Sequence, residues 1–218
     1  MKLFLGKLMR FLMMLFIAVL LLLGWLVVIS VVTLWATSYG YKDYSMFISF
    51  LVGTIFLLLL AWPYSRWVSK LPIGQLGNAT SLGLAISVII LYLTFYGIEK
   101  LFGIPSESFV LQLTSQSGVA LLAVYVTIFV LAPVCEEILF RGMFLNMFKS
   151  IRPWTLWIGA FITSVIFSSI HSQYHHASTF VSLFILALIL AAARIRSGGL
   201  LLPILLHAEA SLMAVILE

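Results

Sequence analysis

Charged residues are scarce in this 218-residue chain. Asp, Glu, Lys and Arg make up 9% of it, against about 25% in soluble domains. Hydrophobic residues make up 63%. This balance excludes a water-soluble globular fold. It also excludes a disordered chain, which needs low hydrophobicity and high net charge. Cysteine occurs once, at Cys135, so no intrachain disulfide can form. No Cys/His spacing has the form of a zinc finger. The net charge is +5, but the basic residues are dispersed among apolar runs and form no dense stripe. A nucleic-acid partner is therefore not expected. The segments of about 10 alternating residues that build membrane barrels are missing too.

Long apolar runs fill the chain instead. Seven are recognisable, at about 11–34, 46–64, 80–98, 118–140, 154–172, 178–193 and 199–217. They predict an all-α fold, a polytopic transmembrane helical bundle of about seven spans, as a single integral membrane domain over 1–218. Lys2, Lys7 and Arg10 before the first run resemble the start of a signal sequence. The run itself is long enough to cross roughly 30 Å of hydrocarbon, whereas a secretory core is about 7–15 residues. No small-x-small cleavage site follows, so a retained first helix is expected. The fourth run continues past Glu137 through Met143–Phe148, as one long helix or as a helix plus an interfacial piece. Trp154 and Trp157 have the character of an interfacial anchor.

Charge asymmetry orients the bundle. Alternating sides gather Lys2, Lys7, Arg10, Arg66, Lys70, Lys149, Arg152, Arg194 and Arg196 together and leave Lys42 and Lys100 opposite. The positive-inside rule then puts the N-terminus in the cytoplasm. The expected location is a cell membrane, multi-pass, and bacterial from the short loops.

Of the seven acidic residues, Asp43, Glu99 and Glu107 fall in expected loops and Glu218 is terminal. Glu136, Glu137 and Glu209 lie within apolar runs, where a charge costs about 2.5–3.5 kcal/mol on insertion scales and marks function by default. In Glu136-Glu137-Ile138-Leu139-Phe140-Arg141, Glu137 and Arg141 share a helix face and can pair. Glu136 is turned about 100° away, which leaves its carboxylate free for proton transfer. Phe167 and His171 are also one turn apart, and the Phe ring can restrict the imidazole. His207 and Ser211 share a third face, from which both can donate hydrogen bonds. Glu209 points elsewhere, and a bond across the bundle is expected for it. His175 and His176 read as loop or interfacial residues. Cys135 reads as a small buried hydrophobe, since no base at helical spacing would activate it.

One feature of the depths conflicts. His207 lies about eight residues into its run, or roughly 12 Å, while His171 lies about seventeen residues past Trp154, or roughly 25 Å. Tilt or a broken helix would be needed to bring them together.

These three segments together resemble the CAAX protease and bacteriocin-processing (CPBP) family of intramembrane proteases, also called the Abi family. Its pattern is EExxxR, FxxxH and HxxxN or HxxxD on separate membrane helices. Glu136, Glu137 and Arg141 match the first, Phe167 and His171 the second, and His207 begins the third, with Ser211 where Asn or Asp is usual. The resemblance covers about 118–217. It implies an endopeptidase in which Glu136 takes a proton from water as general base and His171 orients that water. His207 and Ser211 would hold the oxyanion, and Glu137, Arg141 and Phe167 would support the site. The Ser departure matters, because serine donates one hydrogen bond from a shorter side chain.

No cofactor is firmly implied. A zinc ion on Glu136, His171 and His207 stays open, but there is no HExxH motif and a glutamate-activated water needs no metal. The expected reaction is hydrolysis of a membrane-associated peptide or protein near the cytoplasmic face. Relatives point to prenylated CAAX proteins, bacteriocin leaders or signalling peptides as substrates. Two other readings stand beside it. One is a catalytically impaired scaffold or immunity protein on the same fold, motivated by Ser211. The other is a small proton-coupled transporter, since buried Glu and His also build proton relays, although no internal repeat supports it.

Overall fold

The computed structural model describes residues 2–77, 79–149 and 154–217. Arg152, Glu218 and the side chain of Lys2 lie outside the described residues. Eight helices follow one another among the described residues. They are α1 Lys2–Ser38, α2 Ser45–Trp67, α3 Ala79–Phe102, α4 Ser108–Thr114, α5 Gly118–Phe148, α6 Thr155–Ser169, α7 Ala177–Ser197 and α8 Leu201–Ile216. No strand occurs among the described residues.

Five of these helices (α1, α2, α3, α5 and α7) are long and apolar enough to cross a membrane, and α6 and α8 are shorter apolar helices. Together they match the seven expected runs. Large apolar side chains such as Leu59, Trp62, Leu101 and Phe102 stand exposed on the outside. In water such a surface would drive association; facing lipid it is at home. The short α4, which lies where a loop was expected, caps one end of the bundle.

The fourth run forms one unbroken helix, α5. Two stretches of it, Thr127–Leu131 and Ile138–Phe144, are wound one residue wider than an α-turn. Pro133 accounts for the first. It lacks an N–H, and its ring crowds the carbonyl four residues back. Wide turns shift the helix face, as they often do at functional sites. Every residue from Glu137 to Phe148 is buried, because α1, α2, α6, α7 and α8 all pack around α5. A helix buried on all sides can carry polar groups only if its neighbours satisfy them.

The start of α8 is held by a second feature. Gly198 ends α7 at φ +71°, and the chain doubles back against the loop before α3. There Leu200 N–H donates to Pro72 O at 3.0 Å, Leu201 N–H to Ile73 O at 3.0 Å, and Gln75 N–H to Ser197 O at 3.1 Å. Helix N-termini leave N–H groups without intrahelical partners, and this loop supplies acceptors. The helix thus begins on a floor of polypeptide. The unequal residue counts to His171 and His207 do not keep them apart, since both imidazoles reach Glu136.

The floor leaves no space at Gly199, where a Cβ would come within 2.0 Å of Gly74 N. Gly199→Ala should lower the melting temperature of the detergent-solubilised protein by several degrees. The obstacle is backbone, so the cost should reach or exceed the roughly 1–3 kcal/mol of ordinary overpacking. Gly83→Ala, with nothing within 4 Å, should leave it unchanged or raise it. Equal melting of the Gly199 variant and the parent would contradict the contact.

Candidate active site

The three motifs meet in the bundle. Glu137 is fully buried, and its Oε1 accepts two bonds: from Arg141 Nη1 at 2.8 Å and from His207 Nδ1 at 2.9 Å. The second Arg141 terminal nitrogen donates to Ala187 O at 3.0 Å. The guanidinium also lies 4.8 Å from the centre of the Phe167 ring. A buried charge pair is held best when further hydrogen bonds satisfy it; α7 and α8 supply one each, while Glu137 Oε2 and Arg141 Nε have no hydrogen-bond partner among the described residues.

Phe167 is the hinge point of the packing. It is 1% exposed. It stands edge-on to Phe140 at 5.2 Å and to His207 at 5.9 Å, and its centroid is 4.5 Å from that of His171. One side chain thus restrains both imidazoles and covers Arg141.

The hydrogen bonds assign the imidazole tautomers. His171 Nδ1 lies 2.6 Å from Phe167 O, and a carbonyl oxygen can only accept. His171 therefore carries a hydrogen on Nδ1. His207 Nδ1 likewise donates to the Glu137 carboxylate. With one hydrogen on each ring, both Nε2 atoms present lone pairs. They face the same atom, Glu136 Oε2, at 3.8 Å from His171 and 3.7 Å from His207. These gaps are too long for direct hydrogen bonds. Glu136 Oε2 is buried and has no hydrogen-bond partner among the described residues. Three acceptors converging on a gap call for a species that brings hydrogens, and a water molecule has two.

The gap belongs to a cavity of about 410 Å³ whose lining includes Glu136, Phe167, His171, His207 and Ser211. The sequence-selected residues therefore share one cavity, apart from Glu137 and Arg141, which stand behind it. Cys135 is fully buried, with Sγ 3.1 Å from Thr54 Oγ1, and does not line the cavity. His175 is exposed and His176 half-buried in the α6–α7 loop. Glu209 is half-buried on α8. The expected bond across the bundle is not formed, since Glu209 makes no hydrogen bond or ion pair among the described residues.

Zinc makes definite demands on a donor set. Among the described residues, no group of three His, Cys, Asp or Glu side chains is spaced to hold a metal ion. Ligands about 2.0–2.1 Å from tetrahedral zinc stand about 3.3 Å apart, closer than the 3.7 and 3.8 Å found here. The spacing suits an intervening water.

One end of the cavity departs from expectation. Its walls include Met46 from the first turn of α2, Phe109 from α4 and Val215 from the last turn of α8. This end of the bundle carries Asp43, Glu99 and Glu107. Arg66, Lys149 and Arg194 lie at the opposite ends of their helices. A site near the cytoplasmic face and a cytoplasmic basic cluster cannot both hold.

Sequence reasoning left Glu107 among ordinary loop residues, yet it organises this end. Its Oε1 accepts from His176 N–H at 2.9 Å, His175 N–H at 3.1 Å and Thr179 Oγ1 at 2.7 Å, tying down the residues that lead into α7. The loop so held carries Tyr174, whose ring lies parallel to His171 within 9° at 6.2 Å. Glu99 assists by accepting from Ser178 Oγ at 2.6 Å. No local pattern could reveal this, because Glu107 bonds residues about seventy positions away in sequence.

Burial opposes the Glu107 charge, but the bonds from His176, Thr179 and His175 outweigh it and hold the carboxyl below its usual range. A depressed carboxylate contributes stability above its unfolded value, about 4.3. That stability is lost as pH falls through the lower folded value. Glu107→Gln should therefore melt below the parent at pH 7, and the difference should close as pH is taken below about 4. A difference independent of pH would show that the carboxylate charge does not matter.

Residues 118–213 match the family model described as type II CAAX prenyl endopeptidase Rce1-like. An Escherichia coli protein called "Uncharacterized 24.3 kDa protein" is 40% identical over 180 residues, covering 82% of this chain and 83% of its own length. No solved structure matches. The EExxxR and FxxxH segments and His207 all fall inside the matched region, and the chain belongs to the Rce1-like family of CAAX-type proteases.

Proposed function

We propose that this protein is an intramembrane endopeptidase that hydrolyses a peptide bond of a membrane-associated peptide or protein with a water held among Glu136, His171 and His207. The observation that carries this reading is the buried Glu136 Oε2, which has no hydrogen-bond partner among the described residues and faces two imidazole nitrogens at 3.7 and 3.8 Å.

Charge bookkeeping supports the roles. Glu136, Glu137 and Arg141 together leave one net negative charge in a low-dielectric setting. An oxyanion partner must donate, so in the form that attacks the substrate one further proton sits on His207, and the water is then held by Glu136 and His171. With that proton on His207, Nδ1–H stays on Glu137 and Nε2–H points into the cavity. Glu136 then takes a proton from the water as the oxygen attacks the scissile carbonyl carbon. His171 Nε2 accepts the water's other hydrogen and aims its lone pair. The developing oxyanion receives hydrogen bonds from His207 Nε2–H and Ser211 Oγ–H. Glu136 passes its proton to the leaving amine as the C–N bond breaks. Ser211 offers a single short donor where relatives of the family pattern have an amide or acid.

The test is incubation of the purified protein in nanodiscs with a farnesylated CAAX-type peptide and a membrane-anchored unmodified peptide, followed by mass spectrometry. Glu136→Gln and His171→Ala should each reduce cleavage by at least about 10²–10⁴ with unchanged melting. Ser211→Ala should reduce it by about 10²–10³ if the hydroxyl serves the oxyanion. Full activity of the Glu136 variant would sink the mechanism. No cleavage by the parent would leave the scaffold reading in its place.

The charge distribution supports substrate entry from the side away from the cytoplasm. Ser115→Cys, exposed just after α4, should react with a membrane-impermeant thiol reagent added to intact cells; the native Cys135 is buried and silent. Labelling only after permeabilisation would reverse the orientation.

A further inference from the structure

The opposite end of the bundle holds a second cavity of about 580 Å³, lined by Arg10 of α1, Arg66 and Lys70 at the end of α2, Lys149 after α5, and Arg194 of α7, with Arg141 at its floor. No Asp or Glu lines it. Clustered basic residues at a membrane face follow from topology alone, so their number is not the argument. The argument is Arg194.

Arg194 is 8% exposed and has no carboxylate partner among the described residues. Its Nε donates to Arg141 O at 3.3 Å and its Nη2 to Asn146 Oδ1 at 3.4 Å. Both bonds are long and both acceptors are neutral. Asn146 is itself fixed, because its Nδ2 donates to Ser69 Oγ and Lys70 O at 3.0 Å each. Arg141 next door has Glu137. Arg194 is thus a nearly buried guanidinium without a counter-charge, an arrangement that is costly unless an anion completes it.

The form of the pocket selects the anion. A guanidinium floor with Arg and Lys around the rim suits phosphate oxygens. The volume is many times that of one water, roughly 30 Å³, and leaves room for a headgroup beyond a single phosphate. The rim includes Trp67, 73% exposed at the end of α2, the residue type that settles at headgroup level. Basic pockets between membrane helices at this depth bind anionic headgroups. We infer that this cavity binds the phosphate-bearing headgroup of an anionic phospholipid. This inference does not depend on the protease reading.

The test uses the full-length protein in neutral detergent. Thermal unfolding is followed by tryptophan fluorescence with added phosphatidylglycerol, phosphatidylcholine or sodium pyrophosphate. Phosphatidylglycerol should raise the melting temperature by several degrees in a saturable manner, and phosphatidylcholine should not. Arg194→Gln and the exposed, milder Lys70→Gln should each weaken the effect about tenfold in lipid concentration. Lys42→Gln, at the far end, should leave it intact. Pyrophosphate reproducing the whole shift, with no increment from lipid, would assign the pocket to a soluble phosphate compound and overturn the lipid source. Equal shifts with both lipids, or a full shift in Lys70→Gln, would overturn the site itself.

Discussion

The site depends on one buried ionised carboxylate. Glu137 has no access to solvent, and Arg141 and His207 both bond the same oxygen, Oε1. Removing one partner from such a pair typically costs about 3–5 kcal/mol, because the other charge is left uncompensated. The same contact sets the position of His207 and gives its Nδ1 a hydrogen. Glu137 therefore acts through His207, while its neighbour Glu136 meets the cavity. Adjacent glutamates divide the work because successive helix positions face different neighbours.

The long helix α5 holds that division at the centre of the molecule. Glu137 through Phe148 are buried without interruption, so α5 has no lipid-facing stripe along this stretch. Polar groups there must find partners on surrounding helices, and Arg141 reaches Ala187 O on α7 while Asn146 reaches the segment after α2. Each polar contact also ties α5 to another helix. In lipid, where apolar burial gives little drive for helices to associate, such ties and close packing carry more of the cohesion.

The bundle has two chemically different ends. One holds the cavity lined by Glu136, His171 and His207, with Glu107 and Glu99 fastening the start of α7 and Phe109 of α4 in its wall. The other holds a basic cavity whose floor residue, Arg141, is also the partner of Glu137. Only a few residues separate the two chemistries along α5, so the helix acts as a partition between them.

The sequence by itself determined the class of fold, the seven apolar helices and the three polar segments, because hydropathy and one-turn spacing are local properties. The Glu137–Arg141 and Phe167–His171 contacts were legible for the same reason, each pair lying within a single turn. Tertiary structure alone decided the rest. The bond from His207 to Glu137 spans seventy positions, and those of Glu107 about as many. The floor beneath α8 comes from a loop more than a hundred positions earlier, and the end on which the cavity lies is known only from the residues of α2, α4 and α8 that line it. These features are set by distances between elements, which no pattern within a single helix encodes.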